Sequence, residues 1–157
     1  MPIEPTPLYI FDIDGTLADG SHRVHHIEKS PKDWDTYFSL CGDDAPIASV
    51  IQTLRDLYYS GCEIRFFSGR SEVVRNLTID WLSRYTVYGP HDFDEARLRM
   101  RPVGDHCDDP ILKRRFLDEM HPADRARLVA VFDDRDRVVS MWREAGVRCY
   151  QVAPGAF

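Results

Sequence analysis

Leu8-Tyr9-Ile10-Phe11-Asp12-Ile13-Asp14-Gly15-Thr16 decides the fold. Its first four residues form a short apolar run with one β-branched and two aromatic members, the signature of a buried strand. The run stops at two aspartates one residue apart, followed by a Gly-Thr turn. The same grammar recurs along the chain. Cys62-Glu63-Ile64-Arg65-Phe66-Phe67 is closed by Ser68-Gly69-Arg70, and Leu128-Val129-Ala130-Val131-Phe132 ends at Asp133-Asp134. Val147–Val152 reads as a last strand, and Arg97–Arg101 as one more.

Amphipathic helices fill the intervals. Ser30-Pro31-Lys32-Asp33 predicts a helix start, with Ser at the cap and Pro at the first helical position, and Trp34, Tyr37 and Phe38 follow on one side. Ile47, Val50, Ile51, Leu54, Leu57 and Tyr58 recur at helical steps between Pro46 and Gly61, and Val74, Leu77, Trp81, Leu82 and Tyr85 do so after the second strand. Asp109-Pro110 opens a helix through Leu112 and Phe116, and Val138, Val139, Trp142 and Ala145 mark another that stops at Gly146. Strands alternating with helices imply a doubly wound, Rossmann-like α/β fold, a parallel sheet with helices on both faces. Ligands of such sheets gather beyond the carboxyl ends of the strands. The polar clusters Asp12/Asp14, Ser68/Arg70 and Asp133/Asp134 are therefore expected to converge on one edge.

Composition bounds the function. A chain of 157 residues with 43% hydrophobic and 29% charged residues reads as one domain, residues 1–157, with residues 1–7 an irregular leader. No apolar run approaches the roughly 18 residues of a membrane span, and the start of the chain shows no basic-then-apolar signal, so a cytoplasmic protein without a membrane partner is expected. Cys41, Cys62, Cys107 and Cys149 are widely spaced and expected to be reduced thiols. A net charge of −6 argues against a general nucleic-acid coat, while 17 arginines against 3 lysines leave room for a local basic groove.

Four carboxylates at one edge repel one another, and a divalent cation relieves the repulsion. Hard oxygen ligands select Mg²⁺, which prefers a few carboxylates together with substrate phosphate, so Asp12, Asp14, Asp133 and Asp134 are the candidate metal residues. Ser68, Arg70 and Lys113 add hydrogen-bond donors and positive charge for phosphoryl oxygens. In this reading Asp12 attacks phosphorus to form an aspartyl-phosphate. Asp14 protonates the departing oxygen and then deprotonates the hydrolytic water, a role that calls for a raised pKa. Lys113 neutralises Asp12 and the phosphate. Gly15 permits the tight turn, and Thr16 steadies that turn or the phosphate.

The ordered set Asp12-Ile13-Asp14-Gly15-Thr16, Ser68, Lys113 and Asp133-Asp134 resembles the four motifs of the haloacid-dehalogenase-like (HAD) superfamily, specifically its Mg²⁺-dependent phosphatases. A narrower resemblance runs from Tyr9 almost to the end of the chain, to the phosphatase domain of the bacteriophage-type polynucleotide kinase/3′-phosphatase family. It is carried by Phe11 to Ala18, Arg23, Ser68-Gly69-Arg70, Asp109 with Lys113, and the stretch from Asp133 through Met141-Trp142-Arg143 to Gly155 and Phe157. The resemblance implies that Arg23 and Arg70 engage substrate phosphate, joining Ser68, Gly69 and Thr16, and that Asp109 supports Lys113. It also implies a 3′-phosphorylated nucleic-acid end or nucleotide as substrate, nucleic-acid repair as the setting, and a separate kinase or ligase as a companion. No G-x-x-x-x-G-K-[ST] occurs, so kinase activity is not expected of these residues. The motif intervals leave room for a small cap or none.

Other readings stay open at this point. A 5′-nucleotidase acting on (deoxy)nucleoside monophosphates uses the same chemistry. A phospho-receiver signalling domain also combines acids, a Ser/Thr and a Lys, but carries its acidic pair after the first strand, whereas Asp133-Asp134 comes last. Helix capping alone accounts for Asp109 and for Asp134, and both are compatible with a part in the site. Arg97, Arg99 and Arg101 alternate along one strand face, as a nucleic-acid groove or, more simply, a solvated edge. His22, His25 and His26 lie in an irregular loop without cysteine partners, a weak basis for a metal site.

Overall fold

The structure, a computed structural model, describes residues 1–157. In chain order the elements are β1 (Leu8–Phe11), β2 (Ala18–Asp19), α1 (His25–Glu28), α2 (Trp34–Ser39), β3 (Ala45–Pro46), α3 (Ala48–Tyr59), β4 (Glu63–Ser71), α4 (Arg75–Tyr85), β5 (Leu98–Arg101), α5 (Asp109–Asp118), α6 (Pro122–Ala126), β6 (Leu128–Asp133), α7 (Asp136–Glu144) and β7 (Cys149–Gln151). Five strands form one parallel sheet in the order β5-β4-β1-β6-β7, and β2 pairs antiparallel with β3 in a small separate ribbon. No helix is long and apolar enough to cross a membrane.

Alternation along the strands builds two cores. Phe11, Phe66 and Leu98 face one side, where they pack with Val50, Ile51 and Leu54 of α3 and Trp81 and Leu82 of α4. Ile10, Phe67 and Val131 face the other, with Leu112, Phe116 and Leu117 of α5 and Val138, Val139 and Trp142 of α7. A period of two in the strands and a period near 3.6 in the helices thus place helices on both faces. Phe11 stacks on Phe132 of the neighbouring strand with ring centroids 4.4 Å apart.

The chain leaves β1 to build β4 and β5 on one side, then returns to build β6 and β7 on the other. That reversal opens a crevice at the carboxyl ends of β1 and β6. The backbone N–H of Asp12 donates to the carbonyl of Phe132 at 2.9 Å, which fixes the ends of the two strands side by side.

Three local expectations are revised. Ser30-Pro31 does not open the short helix that carries Trp34, Tyr37 and Phe38; Asp33 does, its carboxylate accepting from the backbone N–H of Thr36 at 3.0 Å. Ser68-Gly69-Arg70 is not a turn after the second strand but part of β4, where pairing with β5 slips between Phe67 and Ser71. The extra residues bulge out of the ladder and re-aim their side chains. Finally, the N-cap position of α5 is Asp108 rather than Asp109, and the Asp108 side chain makes no capping bond.

Candidate active site

Asp12 follows the last residue of β1 and Asp133 ends β6, so both carboxylates emerge at the crevice. Lys113, on the inward face of α5, reaches between them: its Nζ lies 2.8 Å from Asp12 Oδ1 and 2.8 Å from Asp133 Oδ2. Thr16 Oγ1 donates toward Asp12 Oδ2 at 3.1 Å and lies 3.3 Å from Asp134 Oδ1. Asp133 Oδ1 accepts from the backbone N–H of Asp134 at 2.9 Å, and Trp142 Nε1 lies 3.4 Å from its Oδ2. All of these side chains are buried.

Carboxylate oxygens of Asp12, Asp133 and Asp134 lie within 4.8 Å of one another. Burial drives the Asp12 carboxyl well above the ordinary carboxylate range; Lys113 opposes that rise, and the charges of Asp133 and Asp134 add to it. Burial and the charge of Asp133 raise Asp134 as well. One lysine among three acids leaves negative charge uncompensated, and the hard oxygen donors fit Mg²⁺. The chain is shaped around the third acid. Gly15 has a φ of +80°, and a Cβ there would lie 2.2 Å from Asp134 Oδ2; at Gly155 a Cβ would lie 2.2 Å from the Asp134 carbonyl oxygen.

Asp14 is elsewhere. Its carboxylate is turned away from the acidic triad toward two arginines, so its expected place among the metal residues is not what the geometry gives. Arg23 Nη2 lies 2.7 Å from Asp14 Oδ1, and Arg70 approaches the same carboxylate through Nε and through Nη2 at 2.7 Å. The expected raised pKa is reversed too. Burial pulls the Asp14 carboxyl upward, but Arg70 and Arg23 outweigh it and hold it below the usual range.

Arg23 and Arg70 were expected to face phosphate. Both are completely buried, and their guanidinium groups are engaged by Asp14 and Asp44. Of these two carboxylates only Asp14 is accessible, its side chain 32% exposed, so an incoming anion meets the arginines through Asp14. Ser68 is buried at the same edge, its Oγ accepting from the backbone N–H of Arg70 at 3.1 Å. Gly69 packs so closely that a Cβ would lie 2.8 Å from Asp109 Oδ1. The Asp109 carboxylate, for which support of Lys113 was implied, forms no ion pair with that lysine. Its Oδ2 pairs instead with Arg135 Nη1 at 2.7 Å, and its Oδ1 pairs with Arg101. Position N1 of α5 directs the carboxylate along the sheet edge, while Lys113 points inward one turn later.

Sequence reasoning missed Asp44. It lies just before β3, is buried, and accepts from Arg23, Arg70 and His22 through its carboxylate and from Trp81 Nε1 through its carbonyl. His22 is thus a partner of Asp44 at 2.8 Å rather than part of a histidine cluster. Arg97 and Arg99 lie over the rings of Tyr88 and Phe116, and Arg101 donates to Gly69 and Cys107 carbonyls, so this arginine row braces the sheet edge.

A family model described as the polynucleotide kinase PNKP phosphatase domain matches residues 6–157. The chain belongs to that family. Membership makes it a phosphatase domain, a hydrolase of the HAD type. Within the family's reach, the chain is 32% identical over 136 residues to a protein of Autographa californica nuclear polyhedrosis virus described as a bifunctional polynucleotide kinase/RNA ligase, covering 85% of this chain and 17% of that one. A solved chain of the Pnkp1/Rnl/Hen1 RNA repair complex superposes with a TM-score of 0.76 at 30% identity, covering 97% of this chain and 44% of that one. The phosphatase-domain chain therefore spans less than half the length of these relatives. The class C acid phosphatase of Bacillus anthracis shares the fold, with a TM-score of 0.66 at 17% identity over 98% of this chain and 68% of the other.

Proposed function

We propose that this phosphatase domain is a Mg²⁺-dependent phosphomonoesterase that removes the 3′-phosphate from a DNA or RNA end, or from a nucleoside 3′-monophosphate, through an aspartyl-phosphate on Asp12. The observation that carries the reading is the placement of Lys113 Nζ at 2.8 Å from both Asp12 and Asp133, at the edge where Asp134 completes an acidic triad. Family membership and the polynucleotide-processing relatives support the choice of a nucleic-acid end.

Asp12, Asp133 and Asp134 would hold the cation, which when bound offsets their charge and that of the phosphoryl group. An oxygen of Asp12 attacks phosphorus in line with the 3′-ester oxygen. As the P–O(3′) bond breaks, the departing oxygen takes a proton from Asp14. The negative charge of substrate phosphate beside Asp14 counters the pull of Arg23 and Arg70, which lets the Asp14 carboxylate accept that proton beforehand. Lys113 holds Asp12 in place and balances the charge passing to the acyl phosphate. Asp14 then takes a proton from water as its oxygen attacks phosphorus, breaking the bond to Asp12 and releasing inorganic phosphate. The product is a 3′-hydroxyl, the group a ligase joins, so a kinase or ligase partner is the companion this reading implies.

The test is a substrate panel run with Mg²⁺ and with EDTA: 3′-phosphorylated DNA and RNA oligonucleotides, 3′-mononucleotides and 5′-mononucleotides. The expected result is phosphate release from the 3′-phosphorylated substrates, abolished by EDTA and restored by Mg²⁺. Preference for 5′-mononucleotides, or undiminished release after exhaustive chelation, contradicts the reading.

A further inference from the structure

Helix α2 carries three aromatic residues in six positions, Trp34, Tyr37 and Phe38, yet none of its residues is buried. Trp81 and Trp142 are fully enclosed, whereas Trp34 is 47% exposed. Its ring is edge-on to Tyr37, with centroids 5.8 Å apart, and stacks on Phe38 at 5.9 Å with the planes 23° apart. Phe38 and Tyr37 thus brace Trp34, whose indole still stays about half exposed. Lys32 Nζ lies 5.5 Å from the Trp34 ring centroid. Behind Tyr37, the guanidinium of Arg23 lies 4.3 Å from the ring centroid, and Arg23 in turn contacts Asp14 at 2.7 Å. A continuous row of contacts therefore runs from the candidate catalytic carboxylate to an exposed indole with the exposed Lys32 ammonium over its ring. The acids of the segment are Glu28, Asp33 and Asp35, and Asp33 is turned onto Thr36.

We propose that Trp34, braced by Tyr37 and Phe38, is the platform on which a nucleobase near the 3′ end of a single-stranded substrate stacks while its phosphate occupies the site. The proposal rests on the nucleic-acid-end reading above. Every base presents a π-face, so a stacking surface grips an end without reading its sequence, and Lys32 offers a cation to the backbone beside it. Of the three rings, Tyr37 lies against Arg23 and Phe38 packs on the margin of one core, whereas Trp34 joins neither core.

Two measurements test it. With the other two tryptophans enclosed, quenching of emission by acrylamide reports on Trp34. Adding an unphosphorylated single-stranded oligonucleotide is expected to quench Trp34 emission and shield it from acrylamide, with no such effect from an abasic strand. In steady-state assays, Trp34→Ala is expected to raise KM for a 3′-phosphorylated oligonucleotide about tenfold, the size of one lost stack, while Trp34→Phe restores most of the loss. On an end whose terminal nucleotides are abasic, the variant and parent are expected to share one KM. Equal KM values on base-bearing ends, or acrylamide shielding that follows protein concentration instead of oligonucleotide, overturn the platform; the latter places a second copy of the chain on this face. If the protein releases no phosphate from 3′ ends at all, the function proposed above fails, and the oligonucleotide titration still decides the stacking claim.

Discussion

Arg23 and Asp44 form a two-pronged ion pair with both side chains wholly enclosed: Nε meets Oδ1 at 2.7 Å and Nη2 meets Oδ2 at 2.8 Å. The remaining reach of Arg23 goes to Asp14 and the face of Tyr37. Asp44 also takes Arg70, so one buried carboxylate fixes both arginines that hold Asp14. Asp14 is thereby presented in a fixed orientation before substrate arrives.

Removing Asp44 leaves two buried guanidinium groups short of a partner. Breaking one side of a buried pair costs about 3–5 kcal/mol. Asp44→Ala is expected to lower the urea-unfolding free energy by that order and to cut phosphate release sharply. A loss under about 1 kcal/mol with full activity contradicts the role given to Asp44.

The fold was legible because the strands carry their signals locally. Phe11 and Ile10 alternate between two cores, and the acids that end β1 and β6 stand where the chain reverses its winding. The triad and Lys113 follow from that topology. Asp44 was not legible, since an aspartate after Gly42-Asp43 reads as an ordinary turn and only tertiary packing buries it against Arg23 and Arg70. Those same arginines reverse the expected pKa direction of Asp14. Asp109 reads as a cap from its place before Pro110, yet Arg101 and Arg135 claim its carboxylate. Long-range ion pairing leaves no periodicity to read.

Gly15→Ala forces a Cβ to within 2.2 Å of Asp134 Oδ2 on a backbone with φ of +80°. Both effects push Asp134 out of the triad. The variant is expected to need a Mg²⁺ concentration at least about tenfold higher for half-maximal activity, an affinity change of about 1.4 kcal/mol. An unchanged Mg²⁺ requirement in a folded variant removes Asp134 from the cation site.

Acid is expected to loosen the amino end of the sheet. At Glu63, burial raises the carboxyl pKa, but hydrogen bonds from Arg127 and Arg65 outweigh it and lower the net value; at Asp124 the hydrogen bond from Arg127 is the largest influence and lowers it. Both groups are stronger acids folded than unfolded. Their stabilisation is therefore present above the unfolded pKa values of about 4 and is lost as pH falls through the lower folded ones. Thermal midpoints measured from pH 6 downward are expected to fall less steeply below pH 4 in Arg127→Met than in the parent. Identical slopes contradict the pairing.

The central claim is that Asp12 carries the phosphoryl group. Mixing the protein with a 3′-phosphorylated oligonucleotide and Mg²⁺, quenching within the first turnover, and reducing with borohydride converts an acyl phosphate on aspartate to homoserine. Peptide mass spectrometry is predicted to find homoserine at position 12, dependent on Mg²⁺ and on the 3′-phosphate. Rapid turnover with Asp12 intact, or homoserine at position 133 instead, would contradict the account.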